Sequence, residues 1–488
     1  MLTTGMPDTG RKKEDILDEL KTLSSADPEY KTGRLWSLVY YLGEEHTDFL
    51  KDAYNSYFSA NGLNPTAFKG LKQLENDVIR TTASLLHGDK NVCGVVTSGG
   101  TESCLLAVKT YRDLGRAKKN IRRPEMILPE TAHVAWAKGA EYFGVKALYA
   151  PLDRDYRVDV KAVRKLVSRN TVMILGSAPE YPHGLIDPIE ELGEIAVSKN
   201  IPLHVDACVG GYILPFIEML DVDLPLWDYR VKGVTSISAD THKYGFAAKG
   251  ASTITYRSLE ILKHQMFVLQ NWPGGVFASP ALLGTRPGGA YAAAWAAIQA
   301  IGRDGYIDLT EKTLRTTNRL KVGISEIPDL KIVGNPQASL FAYTSTSSDV
   351  NIFAVGDFLE KKNWHIDRLQ RPDALHAMVT PGHEVVVDQY LEDLREAVSW
   401  VRQHPEAAET GGAATYGMIA HLPFQKMVKK QVLDMFADMY GPEGKMIDME
   451  SSMSSNDSGG TEKTASGMPP FIDGIIKWYI KRKQRTGN

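Results

Sequence analysis

Short apolar runs alternate with longer amphipathic stretches in the middle of this chain of 488 residues. The runs are CGVVTSGG, EMILPE, VKALYAPL, TVMILGSAP, IPLHVDACVGG, VTSISAD and GASTITYR. Short apolar runs bounded by turn residues are typical of buried strands, and the stretches between them have the length of helices. This alternation predicts an α/β fold in which helices cover both faces of a mostly parallel sheet. Ligands of such folds bind on the loops where the strands end.

The pattern changes on both sides of this central part. Residues 1–70 form polar, helix-like segments interrupted by turn residues, which predicts an N-terminal helical segment before a large domain spanning 71–310. After a further helix, apolar runs in DLKIVGNPQASLFAYTS and NWHIDRLQRPDALHAMVT predict a smaller α+β domain over 311–440. Residues 441–488 begin rich in serine, glycine and acidic residues, so we expect a flexible linker there.

The chain ends in a basic amphipathic pattern, FIDGIIKWYIKRKQR, over residues 471–485. Its apolar residues fall along one stripe of a helix, and lysine and arginine residues are interleaved with them and follow them. Such a helix can lie on an anionic membrane surface. The alternative is a helix docked on the body of the protein, so a peripheral membrane contact is one of two expectations for this tail.

Composition and charge describe an ordinary globular protein. Hydrophobic residues make up 43% of the chain, charged residues 24%, and the formal net charge is -3. Because the body of the chain has no basic stripe, nucleic acid is not an expected partner. No secretory apolar core and no membrane-spanning apolar stretch is visible, so the sequence predicts a cytoplasmic protein. The cysteines, Cys93, Cys104 and Cys208, are too widely spaced for a disulfide framework or a zinc motif, which suits a reducing compartment.

A glycine-rich turn follows the first predicted strand of the large domain. In VVTSGGTESCLLAVKTY the strand ends at Ser98, Gly99, Gly100 and Thr101, and a helical pattern begins at once. Glycines let the backbone approach an anion closely, and free amides at a helix start point toward it. The turn therefore suits a phosphate group, although an ordinary strand-to-helix turn with a serine cap has the same pattern.

Two further candidates stand at predicted strand ends. Asp206 closes a strongly apolar run, and a buried carboxylate needs a cationic or proton-donating partner, of which a structural ion pair is the simplest. His133 stands where a strand passes into a helix, and alone it indicates only a capping or solvated residue. His204 and Asp206 share a strand face, but two side chains do not make up a metal-ligand set, so we expect no metal site.

A lysine follows the apolar run VKGVTSIS in the stretch SADTHKYGFAAKG. An ammonium at the end of a core strand is paired, exposed or present for its reactivity as an amine. Pyridoxal 5'-phosphate requires a set of residues that this chain has in order: a phosphate turn, then His133, Asp206 and Lys243. Lys243 would hold the cofactor as a Schiff base, Asp206 would keep its pyridine nitrogen protonated, and His133 would lie on its ring.

Several stretches resemble the sphingosine-1-phosphate lyase family, which belongs to the pyridoxal-phosphate decarboxylase group of fold type I. They are VTSGGTES, IPLHVDAC, RVKGVTSISADTHKYGFA and GTRPGG. The resemblance implies a homodimer with active sites at the subunit interface, where the segment NWPGGVFASPALLGTRPGG would reach the partner's cofactor. It also implies a carbon–carbon lyase that cleaves a phosphorylated long-chain base, such as sphingosine 1-phosphate, to a fatty aldehyde and phosphoethanolamine by retro-aldol cleavage. His242 and the freed Lys243 are then the candidate proton carriers.

The same resemblance implies a pocket for the substrate phosphate formed by Tyr40, Asn64 and Lys249. Asn64 stands where the family has a histidine, and it can donate a hydrogen bond but carries no positive charge. This departure leaves an amino-acid decarboxylase with the same cofactor site as the alternative function. A third alternative is an inactive cofactor-binding scaffold, which the intact set of cofactor-binding residues disfavours.

Overall fold

The computed structural model describes residues 5–413, 416, 425–442 and 444 of the chain. The helices are α1 Lys13–Ser24, α2 Glu44–Ser56, α3 Lys69–Leu85, α4 Gly100–Lys119, α5 Val134–Phe143, α6 Val160–Leu166, α7 Ile189–Lys199, α8 Leu214–Glu218, α9 Leu259–Leu262, α10 Gly288–Ser325, α11 Ile352–Lys361, α12 Val387–Gln403 and α13 Gln425–Tyr440. The strands are β1 Cys93–Thr97, β2 Glu125–Pro129, β3 Lys146–Ala150, β4 Thr171–Ser177, β5 Leu203–Asp206, β6 Val234–Ala239, β7 Ser252–Tyr256, β8 Phe267–Leu269, β9 Phe277–Ser279, β10 Leu330–Ile332, β11 Leu340–Ser345, β12 Asp367–Leu369 and β13 Ala374–Met378. Short 3-10 helices cover Gly210–Tyr212, Pro381–Val386 and Pro405–Glu409.

The large domain is built on one seven-stranded sheet in the order β1-β7-β6-β5-β4-β2-β3. Strand β7 runs antiparallel to β1 and β6, and all the other neighbouring strands run parallel to each other. Every residue of β4, an interior strand, is buried, as expected for a sheet with both faces covered. The structure confirms the predicted α/β fold with a mostly parallel sheet.

The register of the sheet brings the ends of its central strands to one edge. Ser177 at the end of β4 pairs with Asp206 at the end of β5, and Asp206 pairs with Ser238 in β6. Strand β1 runs in the same direction as β6, because both are antiparallel to β7. The start of α4 at Gly100, directly after β1, therefore reaches the same edge as the loops after β4, β5 and β6.

A smaller domain forms around a four-stranded antiparallel sheet in the order β10-β11-β13-β12. Its core contains residues between 320 and 413, together with the fully buried Trp36 from the N-terminal segment. Helix α10 continues across the expected domain boundary at residue 310 and bends at Gly302, whose φ of 63° lies in the left-handed region that glycine tolerates. The N-terminal segment is thus packed into the small domain through Trp36.

Strands β8 and β9 form a separate two-stranded hairpin with exposed apolar side chains. Val268, Trp272 and Val276 are 56%, 52% and 76% exposed. The loop of the hairpin and strand β9 fall in the segment 271–289, which the family resemblance assigns to the subunit interface, and β8 lies just before it.

Helix α13 precedes the predicted linker and tail at 441–488. The described residues do not include 443 and 445–488. The predicted tail helix at 471–485 therefore lies outside them. Among the helices that the structure describes, none is long and apolar enough to cross a membrane.

Candidate active site

A cavity of about 440 Å³ opens at the sheet edge where β4, β5 and β6 end. Its wall comes from the loops after these strands, the start of α4, the N-terminal segment and the small domain. The predicted site residues in the wall are Tyr40, Gly100, Thr101, His133, Asp206, His242, Lys243 and Lys249. Asn64, Ser98 and Gly99 do not line it. The structure therefore brings most of the predicted residues to one place.

Lys243 lies in the loop after β6, and its amine pairs with a buried aspartate. Its Nζ is 2.9 Å from Oδ2 of Asp240, which is 1% exposed. Burial acts to lower the pKa of Lys243, but the negative charge of Asp240 outweighs this effect and the pKa is raised. This pairing therefore holds the amine as an ammonium. The sequence pattern did not single out Asp240, although an acidic residue three positions before such a lysine is a usable signal.

Asp206 closes β5 and is held as an oriented carboxylate. Trp136 Nε1 donates to its Oδ2 at 2.8 Å, and the backbone amide of Cys208 donates to its Oδ1 at 3.1 Å. Burial acts to raise the pKa of Asp206, but the Trp136 hydrogen bond and the nearby His133 outweigh this effect, so the pKa is lowered. An ionised carboxylate in this position suits a protonated pyridine nitrogen. Trp136 was not predicted, and no local pattern signals it.

His204, two residues before Asp206, does not line the cavity. Its ring nitrogens bond to Ser236 Oγ at 2.7 Å and to Ser238 Oγ at 3.2 Å. Burial lowers the pKa of His204 to about 4, so the ring is neutral at neutral pH. The structure thus places His204 in the core of the sheet, where two serine hydroxyls satisfy its nitrogens.

His133 precedes helix α5 as its N-cap and presents its ring to the cavity. Its Nδ1 accepts a hydrogen bond from the Ala135 amide at 3.2 Å. The ring meets that of Tyr181 edge-on, with 6.4 Å between the centroids. Tyr181, which was not predicted, also lines the cavity and donates to Oδ2 of Asp367 in β12 at 2.7 Å. It therefore joins the small domain to the cavity wall.

The start of α4 forms the glycine-rich turn that was predicted to bind a phosphate. No side chain caps the first turn of this helix. A Cβ atom at Gly100 would lie 2.7 Å from Asp240 Oδ2 and 3.0 Å from Cys208 Sγ, so glycine is needed for this close approach. The amide of Ser98 already donates to Glu102 Oε2 at 2.7 Å. An anion at this turn would therefore bind to the helix start rather than to the Ser98 amide.

Buried polar atoms without a partner indicate that the cavity suits a polar cofactor. Among the described residues, Oδ1 of Asp240 and Nδ1 of His242 are buried and have no hydrogen-bond partner. Such atoms are costly unless a ligand or water satisfies them. With an ionised Asp206, the amine of Lys243 and an uncapped helix start, the donor set fits the pyridine nitrogen, aldehyde and phosphate of pyridoxal 5'-phosphate.

Two of the three residues predicted for the substrate phosphate lie together at the rim of the cavity. Nζ of Lys249 donates to the Leu38 carbonyl at 2.7 Å and lies 5.0 Å from the ring centroid of Tyr40. Partial burial and the charge of Lys243 lower the pKa of Lys249 to about 8. Asn64 lies elsewhere in the protomer, where its Oδ1 accepts hydrogen bonds from backbone amides two and three residues later.

Comparisons with known proteins point to one family. Residues 46–345 match the pyridoxal-dependent decarboxylase conserved domain. The sphingosine-1-phosphate lyase of Oryza sativa is 42% identical over 89% of this chain and 81% of its own length. Sphingosine-1-phosphate lyase 1 of Rattus norvegicus is 42% identical over 89% of this chain and 76% of its own length.

Solved structures agree with this relationship. The sphingosine-1-phosphate lyase of Burkholderia pseudomallei has a TM-score of 0.81 and 37% identity, over 89% of this chain and 97% of that one. The glutamate decarboxylase of Lactobacillus brevis has a TM-score of 0.72 at 22% identity, over 83% of this chain and 96% of that one, which supports the fold alone. The chain therefore belongs to the sphingosine-1-phosphate lyase family, among the proteins that share the pyridoxal-dependent decarboxylase domain.

Proposed function

We propose that this protein is a pyridoxal 5'-phosphate-dependent aldehyde-lyase that cleaves a phosphorylated long-chain base, such as sphingosine 1-phosphate, to a fatty aldehyde and phosphoethanolamine. The observation that carries the proposal is that Asp206, Lys243 and Lys249 line one cavity. The first two are the carboxylate and amine that a bound cofactor needs, and the third is a cation for a substrate phosphate. Similarity to sphingosine-1-phosphate lyases over most of the chain supports the same reaction.

Each residue that would hold the cofactor has a separate role. Lys243 would bind its aldehyde carbon, Asp206 would keep its pyridine nitrogen protonated, His133 would cover its ring, and the start of α4 would bind its phosphate. When bound, pyridoxal 5'-phosphate accepts the electron pair that the breaking carbon–carbon bond leaves on the amino carbon. The lowered pKa of Asp206 supports its role, because an ionised carboxylate stabilises a protonated ring nitrogen.

Cleavage also needs a base for the proton of the substrate hydroxyl. Burial lowers the pKa of His242, so its ring is neutral, and its Nδ1 has no hydrogen-bond partner among the described residues. The amine of Lys243 is less suited. Burial acts to lower its pKa, but the pairing with Asp240 outweighs this effect, so the amine keeps its own proton. His242 is therefore the first candidate for taking up this proton, and the freed Lys243 for returning one to the amino carbon.

An amino-acid decarboxylase is the second candidate, because the matched domain is shared with that group. Such an enzyme binds a substrate carboxylate, for which a bidentate arginine is well suited. The lysines in the described cavity wall are Lys243 and Lys249, and no arginine lines it. The wall therefore favours the lyase.

A product assay distinguishes the two reactions. The purified protein with added pyridoxal 5'-phosphate is given sphingosine 1-phosphate, and the fatty aldehyde and phosphoethanolamine are measured. Lys243→Ala should abolish both products, whereas Lys263→Ala, at a surface lysine paired with Glu260, should leave them unchanged. Release of carbon dioxide from an amino acid, with no aldehyde from the lipid, would overturn the proposal.

We also propose that the active unit is a homodimer formed through the β8–β9 hairpin. Val268, Trp272 and Val276 of this hairpin are each more than half exposed, and exposed apolar patches mark protein interfaces. The loop after the hairpin contacts the helix that begins at the active site, because the Leu282 amide donates to Glu102 Oε1, in the first turn of α4, at 2.8 Å. A partner subunit seated on the hairpin would therefore lie beside the cofactor cavity.

The proposed substrate is an amphiphile, so we propose a cytoplasmic enzyme that works at a membrane surface. The support is the basic amphipathic pattern at 471–485, outside the described residues. Co-sedimentation of the full chain with phosphatidylserine vesicles tests it. Reversing the charges of Lys481 and Lys483 to glutamate should reduce the bound fraction, and an unchanged fraction would refute the contact.

A further inference from the structure

Two thiols and a carboxylate lie close together in the wall of the cavity. The three residues are Cys104 in α4, Asp206 at the end of β5 and Cys208 just after it. All three are buried, and their ligand atoms lie within 4.8 Å of one another. Cys104 Sγ is 3.8 Å from Asp206 Oδ2. Among the described residues, this is the one group of three metal-ligating side chains with such spacing.

We propose that this cluster binds a thiophilic divalent cation, Zn²⁺ or Cd²⁺, when the cofactor is absent. Ligand atoms around a tetrahedral zinc ion are roughly 3.5 Å apart, so small side-chain movements bring the cluster to this geometry. Binding joins the cation to both Sγ atoms and one Asp206 oxygen, and it releases the two thiol protons to solvent. The fourth position faces the cavity, because all three residues line it.

The charges around the cluster support a cation there. Asp240 lies close to Cys208, since a Cβ atom at Gly100 would be 2.7 Å from Asp240 Oδ2 and 3.0 Å from Cys208 Sγ. Oδ1 of Asp240 is buried without a hydrogen-bond partner, so this carboxylate adds negative potential to that of Asp206. The opposing charge is the Lys243 ammonium, 2.9 Å from Asp240 Oδ2.

Occupation by the cation excludes the cofactor, because each of them takes the carboxylate of Asp206. A chain loaded with the cation therefore gains pyridoxal 5'-phosphate slowly, and a chelator restores the rate. This inference goes beyond the proposed reaction and does not depend on its substrate.

The test uses the full chain freed of cofactor and titrated with Cd²⁺ alone. The cadmium–thiolate charge-transfer absorbance should saturate at one ion per chain, and the metal should slow recovery of the absorbance of bound pyridoxal 5'-phosphate. Cys104→Ser keeps a hydroxyl for Asp206 but loses a thiolate, so the affinity for Cd²⁺ should fall by about tenfold or more. The matched control is Cys93→Ser, at the start of β1 and outside the cluster, which should bind Cd²⁺ as the unaltered chain does.

Equal Cd²⁺ affinity and absorbance in Cys104→Ser and the unaltered chain would overturn the proposal, as would loss of the signal in Cys93→Ser. Binding of pyridoxal 5'-phosphate without metal shows that a variant is folded. If Cys104→Ser fails that check, Cys208→Ser is measured in the same way, and an undiminished signal there overturns the proposal too. No substrate enters these measurements, so failure of the lyase assay and failure of this proposal are distinguishable.

Discussion

The charge of Lys249 at the cavity rim bears directly on how tightly a substrate phosphate is bound. Lys249→Ala removes a charge-assisted hydrogen bond worth about 1.5–3 kcal/mol, so kcat/KM for the phosphorylated long-chain base should fall roughly 10- to 150-fold. Cofactor affinity, measured from the visible absorbance of bound pyridoxal 5'-phosphate, should stay unchanged. Lys263→Ala serves as the surface control, since neither Lys263 nor its ion-pair partner Glu260 lines the cavity. Equal losses of cofactor and substrate binding would show that Lys249 is a structural residue.

The same lysine predicts a pH dependence. Because burial and the charge of Lys243 lower the pKa of Lys249 to about 8, its ammonium is present below pH 8 and is lost above it. A phosphate monoester is dianionic above its second pKa of about 6, so the full charge pair exists between about pH 6 and pH 8. The pH profile of kcat/KM should therefore decline above about pH 8. Lys249→Arg keeps its charge and should remove this decline, whereas an unchanged decline would assign the titration to another group.

At the level of elements, the junction between β1 and α4 determines how closely the backbone approaches the cofactor site. A Cβ atom on Gly100 would press on Asp240 Oδ2 at 2.7 Å and on Cys208 Sγ at 3.0 Å, and both residues follow buried strands. Overpacking of this kind costs about 1–3 kcal/mol, so Gly100→Ala should weaken pyridoxal 5'-phosphate binding by about 5- to 150-fold. An absorbance titration measures it, with Lys118→Ala, exposed near the other end of α4, as the control. Unaltered cofactor affinity would show that the close approach is not required.

The elements also show which parts of the site the sequence could predict. The runs that end near Asp206 and Lys243 predict buried parallel strands, and the carboxyl ends of such strands share one edge of the sheet. The hydrogen bond from Trp136 to Asp206 joins positions 70 residues apart, and no local pattern encodes it. The burial of Trp36 in the small domain is likewise a tertiary contact, since the sequence predicts only a polar helical segment over residues 1–70.

At the level of the whole molecule, the exposed hairpin predicts the oligomeric state. Val276, in the loop of the hairpin, is 76% exposed in the single protomer, and a dimer interface would bury it. Val276→Asp places a charge in that interface, so the dimer dissociation constant should rise by about tenfold or more. Size-exclusion chromatography with light scattering over a series of protein concentrations measures the change.

The control is Val385→Asp, because Val385 is 82% exposed but lies in the small domain, before α12. It should leave the dimer intact, which separates the effect of the hairpin from that of any exposed apolar residue. Turnover should fall together with the dimer in Val276→Asp, because the loop after the hairpin bonds through Leu282 to Glu102 in the first turn of α4. A monomeric Val276→Asp protein with full activity would mean that one subunit completes its own site. A dimer that is unaffected by this change would place the interface on another face of the molecule.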